Sequence, residues 1–124
     1  MTTVNRILYV EDERDIQIVA QLALETIGGF TLHTCSSGKE ALESVVSFSP
    51  DLILLDVMMP GMDGPATLKA LREIPQITNI PALFMTAKNQ IDEIAELKAL
   101  GALDVIAKPF DPMKLAEQIK AACA

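Results

Sequence analysis

The sequence alternates short apolar runs with longer amphipathic segments, and it repeats this alternation five times. The run from Leu52 to Leu55 contains no polar residue, which is typical of a strand buried on both faces of a parallel sheet. From Asp12 to Ile27, apolar residues recur at intervals of three and four, as on one face of a helix. Strict alternation of strands and helices favours right-handed crossovers, and therefore a doubly wound parallel sheet with helices on both faces.

Glycine, proline and short polar residues set the predicted boundaries of these elements. Gly28-Gly29 are expected to end the first helix and Gly101 the fourth, while Asp111 is expected to cap the last helix at its N-terminus. The predicted strands are Arg6–Val10, Phe30–Cys35, Leu52–Leu55, Pro81–Thr86 and Leu103–Lys108. The predicted helices are Asp12–Ile27, Ser37–Phe48, Pro65–Glu73, Asn89–Leu100 and Pro112–Cys123.

Length and charge exclude several classes of protein. The chain has 124 residues, half of them hydrophobic, which suits one globular domain over residues 1–124 with no output domain. A net charge of −7 leaves no basic surface for nucleic acid. No apolar run approaches the roughly 18 residues that a membrane span needs, and no secretory signal opens the chain. Cys35 and Cys123 lie far apart, so we predict free thiols in a reducing cytoplasm.

Charged and polar side chains occur at the ends of four predicted strands: Glu11 and Asp12, Asp56, Thr86, and Lys108. Ligands of a doubly wound sheet bind at the carboxyl ends of its strands, so these side chains are expected at one edge. Three acids there would repel one another unless a hard cation such as Mg²⁺ bound between them. Asp56 would then attack a phosphoryl group in line, while Lys108 and Thr86 would contact the phosphoryl oxygens.

Each of these residues also has an interpretation that involves no ligand. Glu11 and Asp12 would suit the N-terminus of the following helix, where acids are favoured. Asp56 would serve as a loop acid and Lys108 as a solvated strand end, and the Thr86 hydroxyl would bond locally. Taken singly, these interpretations are as good as the chemical one for Glu11, Asp12 and Asp56, and better than it for Lys108 and Thr86. The coincidence of all five residues at one edge of one sheet is what favours phosphoryl chemistry.

Together with the loop Met59–Gly64, the segments Glu11-Asp12, Asp56, Thr86-Ala87 and Lys108–Phe110 resemble the receiver domain of two-component response regulators. These markers extend over nearly the whole chain and follow the order of the family. The resemblance implies a flavodoxin-like α/β fold with five helices and a five-stranded parallel sheet of strand order 2-1-3-4-5. It also implies a phosphorelay protein that catalyses only its own phosphorylation and dephosphorylation, and that signals through a conformational change biased by phosphorylation.

The same resemblance assigns individual roles. Asp56 would accept the phosphoryl group from a histidine kinase or histidine phosphotransferase, and Thr86 and Lys108 would sense it. Glu11, Asp12, Asp56 and the backbone carbonyl of Met58 would hold the Mg²⁺ ion. The Lys108–Pro109 bond would be cis. The donor would dock near the first helix, at Arg14, Gln17 and Gln21.

The resemblance further implies an output surface formed by the fourth helix, fifth strand and fifth helix. This surface would contact a downstream protein that the sequence does not identify, and it also admits a homodimer. Many receivers carry an aromatic switch residue three positions before the final lysine, where this chain has Val105. The loop after Thr86 and the fourth helix would then carry the signal. Lys88 occupies a position that tunes phosphate lifetime in the family.

Three other functions stay open at this point. A flavodoxin-like electron carrier would need a Ser/Thr/Gly-rich loop after the first strand, but Glu11-Asp12-Glu13 place acids there. An aspartate-nucleophile phosphatase would need an acid two residues after its nucleophile, where this chain has Met58. A receiver-like scaffold that binds partners without phosphorylation fits poorly with the intact acids, although Val105 keeps it open.

Overall fold

The structure is a computed structural model that describes residues 4–87 and 91–124. In this part of the chain, five strands alternate with five helices. The strands are β1 Arg6–Val10, β2 Thr31–Cys35, β3 Leu52–Asp56, β4 Ala82–Thr86 and β5 Asp104–Ala107. The helices are α1 Arg14–Gln21, which continues as a π-helical segment over Leu22–Ile27, α2 Gly38–Phe48, α3 Gly64–Arg72, α4 Ile91–Ala99 and α5 Leu115–Cys123.

The strands form one parallel sheet in the order β2-β1-β3-β4-β5, which confirms the predicted flavodoxin-like topology. Every residue of the central strand β3 is buried, as its unbroken apolar run predicts. The strands are in register, with Val10 opposite Leu55 and Asp56 opposite Met85. The residues that follow β1, β3 and β4 therefore emerge at a common edge of the sheet.

Alternate side chains of each central strand enter two separate hydrophobic cores. On one face, Leu55 and Phe84 pack among residues of α2, α3 and α4. On the other face, Leu54 and Met85 pack among residues of α1, its π-helical continuation and α5. Full burial of one such side chain contributes about 1.5–3 kcal/mol. The two cores together therefore hold the sheet firmly against all five helices.

Several helix boundaries differ from the sequence prediction because tertiary hydrogen bonds take over the backbone. Helix α1 begins at Arg14 rather than Asp12, since the Glu11 N–H donates to the Cys35 carbonyl and Glu13 is extended. Helix α5 begins at Leu115 rather than Pro112. Asp111 instead closes a turn in which its carboxylate accepts from the Met113 N–H.

Other predictions hold or fall outside the described residues. Gly29 and Gly101 adopt positive φ values of 76° and 106° after their helices, as predicted for residues that end a helix. Cys35 and Cys123 are both free thiols. Lys88 and the predicted start of the fourth helix at Asn89 lie outside the described residues. None of the helices in the described part of the chain combines the length and apolar character that a bilayer crossing requires.

Gly64, the first residue of α3, packs directly on the backbone of Asp56. Its N–H donates to the Val57 carbonyl at 2.9 Å. A Cβ atom on Gly64 would overlap the Asp56 carbonyl oxygen and would lie 2.9 Å from the Val57 Cα. The glycine therefore allows the loop after β3 to fold back against the strand end.

We predict that Gly64→Ala lowers the free energy of unfolding by about 1–3 kcal/mol, because the backbone of β3 must shift to admit the methyl group. Gly29→Ala serves as the control, since its Cβ would meet nothing within 4 Å and it carries only a left-handed φ penalty of about 1 kcal/mol. Urea unfolding of both variants measures the difference. A loss at Gly64 no larger than that at Gly29 would contradict the packing argument.

Candidate functional site

The carboxyl ends of β1, β3, β4 and β5 bring the predicted site residues to one edge of the sheet. Glu11 and Asp12 follow β1, Asp56 ends β3 and Thr86 ends β4, while Lys108 directly follows β5. Carboxylate oxygens of Glu11, Asp12 and Asp56 lie within 4.8 Å of one another. The parallel register thus assembles side chains that are separated by up to 97 positions along the chain.

Lys108 connects two of the three acids. Its Nζ lies 3.0 Å from Glu11 Oε1 and 3.0 Å from Asp56 Oδ1. The backbone N–H of Lys108 donates to the Thr86 carbonyl at 2.9 Å, so the residue is aligned by the edge of the sheet itself. Burial alone would lower the pKa of Lys108, but its hydrogen bonds to Glu11 and Asp56 raise that pKa above the ordinary value. The ammonium group therefore remains charged between the two carboxylates.

Glu11 is fully buried, which is expensive for a carboxylate. Burial raises the pKa of Glu11 to about 7, the hydrogen bond from Lys108 opposes this shift, and the Asp56 charge adds to it. The Tyr9 hydroxyl lies 3.5 Å from Glu11 Oε1. Burial and the Glu11 charge raise the pKa of Tyr9, so its hydroxyl keeps the proton that it points at the acid.

Glu11 also makes a contact beside the N-terminus of α1, where the sequence offered a purely structural role for Glu11 and Asp12. Its Oε2 accepts from the N–H of Glu13, the residue before α1, at 3.3 Å. The N-cap of α1 is Glu13, whose own side chain makes no capping bond. A contact near the helix start and a place in the acidic cluster are therefore compatible for Glu11.

Asp12 is the third acid of the cluster. Its Oδ1 is buried, and it has no hydrogen-bond partner among the described residues. With three ionised carboxylates and one ammonium group, the cluster carries a formal charge of 3 × (−1) + 1 = −2. An orphaned buried oxygen in an all-oxygen cluster of this charge fits a hard dication such as Mg²⁺.

The remaining predicted site residues lie around this cluster. Thr86 is buried, one position beyond Met85, which is the β4 residue opposite Asp56. The Met58 side chain is exposed, and metal binding by its carbonyl stays a prediction. The Lys108–Pro109 bond is cis, as the resemblance implied. Val105 pairs with Phe84 in the sheet and is half-buried, so an aliphatic side chain fills the usual aromatic position.

One residue placed at the surface by the sequence interpretation is buried. Gln17 was expected at a docking surface with Arg14 and Gln21, and those two residues are indeed exposed. Only 8% of Gln17 is exposed, and its amide bonds to the Glu11 carbonyl and to Ser36. The expected exposure was wrong because Gln17 lies on the inner side of α1, where periodicity alone shows a polar residue without showing its partner.

We predict that Lys108→Met lowers the free energy of unfolding in metal-free buffer by about 3–5 kcal/mol, because the carboxylates of Glu11 and Asp56 lose their shared cation. Lys98→Met is the matched control. The Lys98–Asp104 ion pair measures 3.5 Å and about half of each side chain is exposed, so its loss costs about 0–1 kcal/mol. Urea unfolding compares the two. Equal losses would show that the buried pair does not stabilise the fold.

Comparison with known proteins identifies the family of this chain. The profile of the response regulator receiver domain matches residues 7–120. The chain is 38% identical to sporulation initiation phosphotransferase F of Bacillus subtilis over 93% of its own length and 90% of the relative. It is 41% identical to the alkaline phosphatase synthesis transcriptional regulatory protein PhoP of the same organism over 94% of its own length, but it spans only 47% of that relative.

A solved structure gives the same result for the fold. The chemotaxis response regulator CheY4 of Vibrio cholerae superposes with a TM-score of 0.88 at 31% identity, covering 97% of this chain and 99% of that one. Receiver domains are signalling domains rather than classical enzymes, and they interact with histidine kinases or phosphotransferases. On its profile match, its relatives and its strand order, this chain belongs to the response regulator receiver domain family of two-component phosphorelay systems.

Proposed function

We propose that Asp56 is the phosphoryl acceptor of this receiver domain and that Glu11 and Asp12 hold the divalent cation that the reaction needs. The observation that carries the proposal is the Lys108 ammonium, 3.0 Å from Asp56 Oδ1 and 3.0 Å from Glu11 Oε1, beside the unpartnered Asp12 oxygen. A structural ion pair would need only one acid. Two acids bonded to one lysine, with a third acid beside them, instead form a site with spare negative charge.

The chemistry follows from what each side chain does. A carboxylate oxygen of Asp56 forms a bond to phosphorus while the bond from phosphorus to the donor's leaving atom breaks, and the electron pair of that bond stays with the donor. Lys108 holds one phosphoryl oxygen as a fixed positive charge. The buried Thr86 hydroxyl donates to another. Asp56 retains 5% of its side-chain surface, which gives a phosphoryl group a narrow approach at the sheet edge.

Mg²⁺ is the cation that this oxygen cluster suits best. Glu11, Asp12 and Asp56 would supply carboxylate oxygens, and the Met58 carbonyl would be a further ligand. When bound, Mg²⁺ screens the negative charge between the acceptor carboxylate and the incoming phosphoryl group. The protein then catalyses only its own phosphorylation and dephosphorylation.

The surface around the site supports docking of a phosphodonor protein on α1. A groove of about 480 Å³ lies between α1 and the loop after β5, and it includes Lys108 in its lining. Ile16, Val19 and Phe110 give the groove an apolar floor beside that charge. A histidine kinase or phosphotransferase seated there would bring its phosphohistidine beside Asp56.

We propose that α4, β5 and α5 form the output surface, which binds either a downstream protein or a second copy of the chain. Because Val105 has no ring to reorient, movement of α4 and of the segment after Thr86 would report the phosphoryl group. The scaffold alternative would require Asp56 to remain unmodified. We propose a cytoplasmic location, because both cysteines are free thiols, as is usual in a reducing compartment.

We predict that Mg²⁺ stabilises the wild-type protein and that Asp12→Asn removes most of this effect, because the orphaned oxygen becomes part of a neutral amide. A ligand at 100 times its Kd adds about 2.7 kcal/mol to the unfolding free energy. Thermal unfolding with and without Mg²⁺ measures the gain. The control is Asp15→Asn, an exposed acid in the first turn of α1. Equal Mg²⁺ responses from the two variants would contradict the site.

We also predict that acetyl phosphate with Mg²⁺ adds one phosphoryl group to the wild-type chain and none to Asp56→Asn, since the side-chain amide of asparagine does not act as the nucleophile. Intact-mass analysis or a phosphate-affinity gel reads the result directly. The exposed Asp15→Asn variant again serves as the control and should label as wild type does. Persistent labelling of Asp56→Asn would place the acceptor elsewhere.

A further inference from the structure

A buried glutamine on α1 joins the acidic loop after β1 to the loop between β2 and α2. Gln17 Nε2 lies 2.5 Å from the Glu11 carbonyl oxygen and 3.2 Å from Ser36 Oγ. A carbonyl oxygen can only accept, so the amide nitrogen is the donor to Glu11. With two N–H groups on one nitrogen, a single side chain ties the two loops together.

The bond from Gln17 completes the backbone anchoring of Glu11. The Glu11 N–H donates to the Cys35 carbonyl at 3.0 Å, and its C=O accepts from Gln17. The Glu11 carbonyl and the Asp12 N–H belong to the same planar peptide group. Fixing that carbonyl therefore fixes the direction in which the chain enters Asp12, which carries the buried oxygen without a partner.

The second anchor of Gln17 is itself held in place. The Ser36 N–H donates to Glu40 Oε2 at 2.6 Å, and the Glu40 N–H donates to Ser37 Oγ at 3.2 Å. The Ser37 side chain thus caps α2, and the Glu40 carboxylate accepts from the residue before that cap, so the two bonds restrict the loop before α2. Gln17 is thus attached to the restrained loop before α2, and this loop supports the Glu11-Asp12 loop from a second part of the chain.

We propose that Gln17 is a positioning residue that holds the Glu11-Asp12 loop in the geometry required for divalent-cation binding and phosphoryl transfer. The inference rests on the proposed function of the acidic cluster. Residues that orient the ligands of a metal typically change metal affinity or activity by 10- to 100-fold when they are lost. A glutamine with only a packing role would change the unfolding free energy and leave the cation affinity of the folded protein unchanged.

The decisive experiment is calorimetric titration of Mg²⁺ into Gln17→Met, which keeps the side-chain length and removes the amide. The titration is run well below the unfolding temperature, so that only folded protein is measured. We expect the Kd for Mg²⁺ to rise by about tenfold. The Mg²⁺ concentration for half-maximal labelling by acetyl phosphate should rise by the same factor. Gln76→Met is the matched control, because this exposed glutamine lies outside the site and should leave both values unchanged.

A folded Gln17→Met protein with wild-type Mg²⁺ affinity would overturn the inference. If that variant does not fold, Ser36→Ala decides the question, since it removes only the second anchor of the amide. We expect Ser36→Ala to weaken Mg²⁺ binding in the same direction and by a smaller factor, and an unchanged Kd would overturn the inference. Wild-type protein that neither binds Mg²⁺ nor accepts a phosphoryl group would instead overturn the proposed function, which separates the two failures.

Discussion

The site depends on one ammonium group shared by two buried carboxylates. Lys108 follows β5 and Glu11 follows β1, whereas Asp56 is the last residue of β3. Because β4 lies between β3 and β5 in the sheet, these contacts of 3.0 Å require β1, β3, β4 and β5 to be paired in the correct register. Folding of the sheet and assembly of the site are therefore the same event. An error of one residue in strand register would turn these side chains away from one another.

The arrangement keeps more negative charge than stability alone would select. Lys108 can neutralise only one of the three acids. Burial raises the pKa of Glu11 to about 7, and the Asp56 charge adds to this shift although the hydrogen bond from Lys108 opposes it. Asp12 retains a buried oxygen without a donor. Such features are costly in an ordinary core, and they recur where a site is preorganised to receive a ligand. The acidic edge is best understood as a binding site preorganised for a cation and a phosphoryl group.

Support for this edge comes from residues that carry no chemistry of their own. Gly64 lets the loop after β3 lie against the Asp56 backbone, and Gln17 braces the backbone of Glu11. Both act on main-chain atoms, so they set the positions of the acids without competing for their carboxylate oxygens. Neither of these supporting roles was identified from the sequence, although Gly64 was placed in a family loop and Gln17 at a docking surface. A glycine next to Pro65 signals only a helix start, and a glutamine within an amphipathic helix signals only a polar position.

The sequence by itself determined the elements, their alternation and the acids at the strand ends, because periodicity and breaker residues act locally. The run Leu52–Leu55 indicated the buried central strand, and the glycines after the first and fourth helices indicated where those helices end. The starts of α1 and α5 were decided by contacts outside those helices. The Glu11 N–H bonds to the Cys35 carbonyl before α1, and the Met113 N–H bonds to the Asp111 carboxylate before α5. The salt bridges of Lys108 and the burial of Gln17 also required the folded sheet. They join residues distant in the chain, and no local pattern records which distant groups will meet.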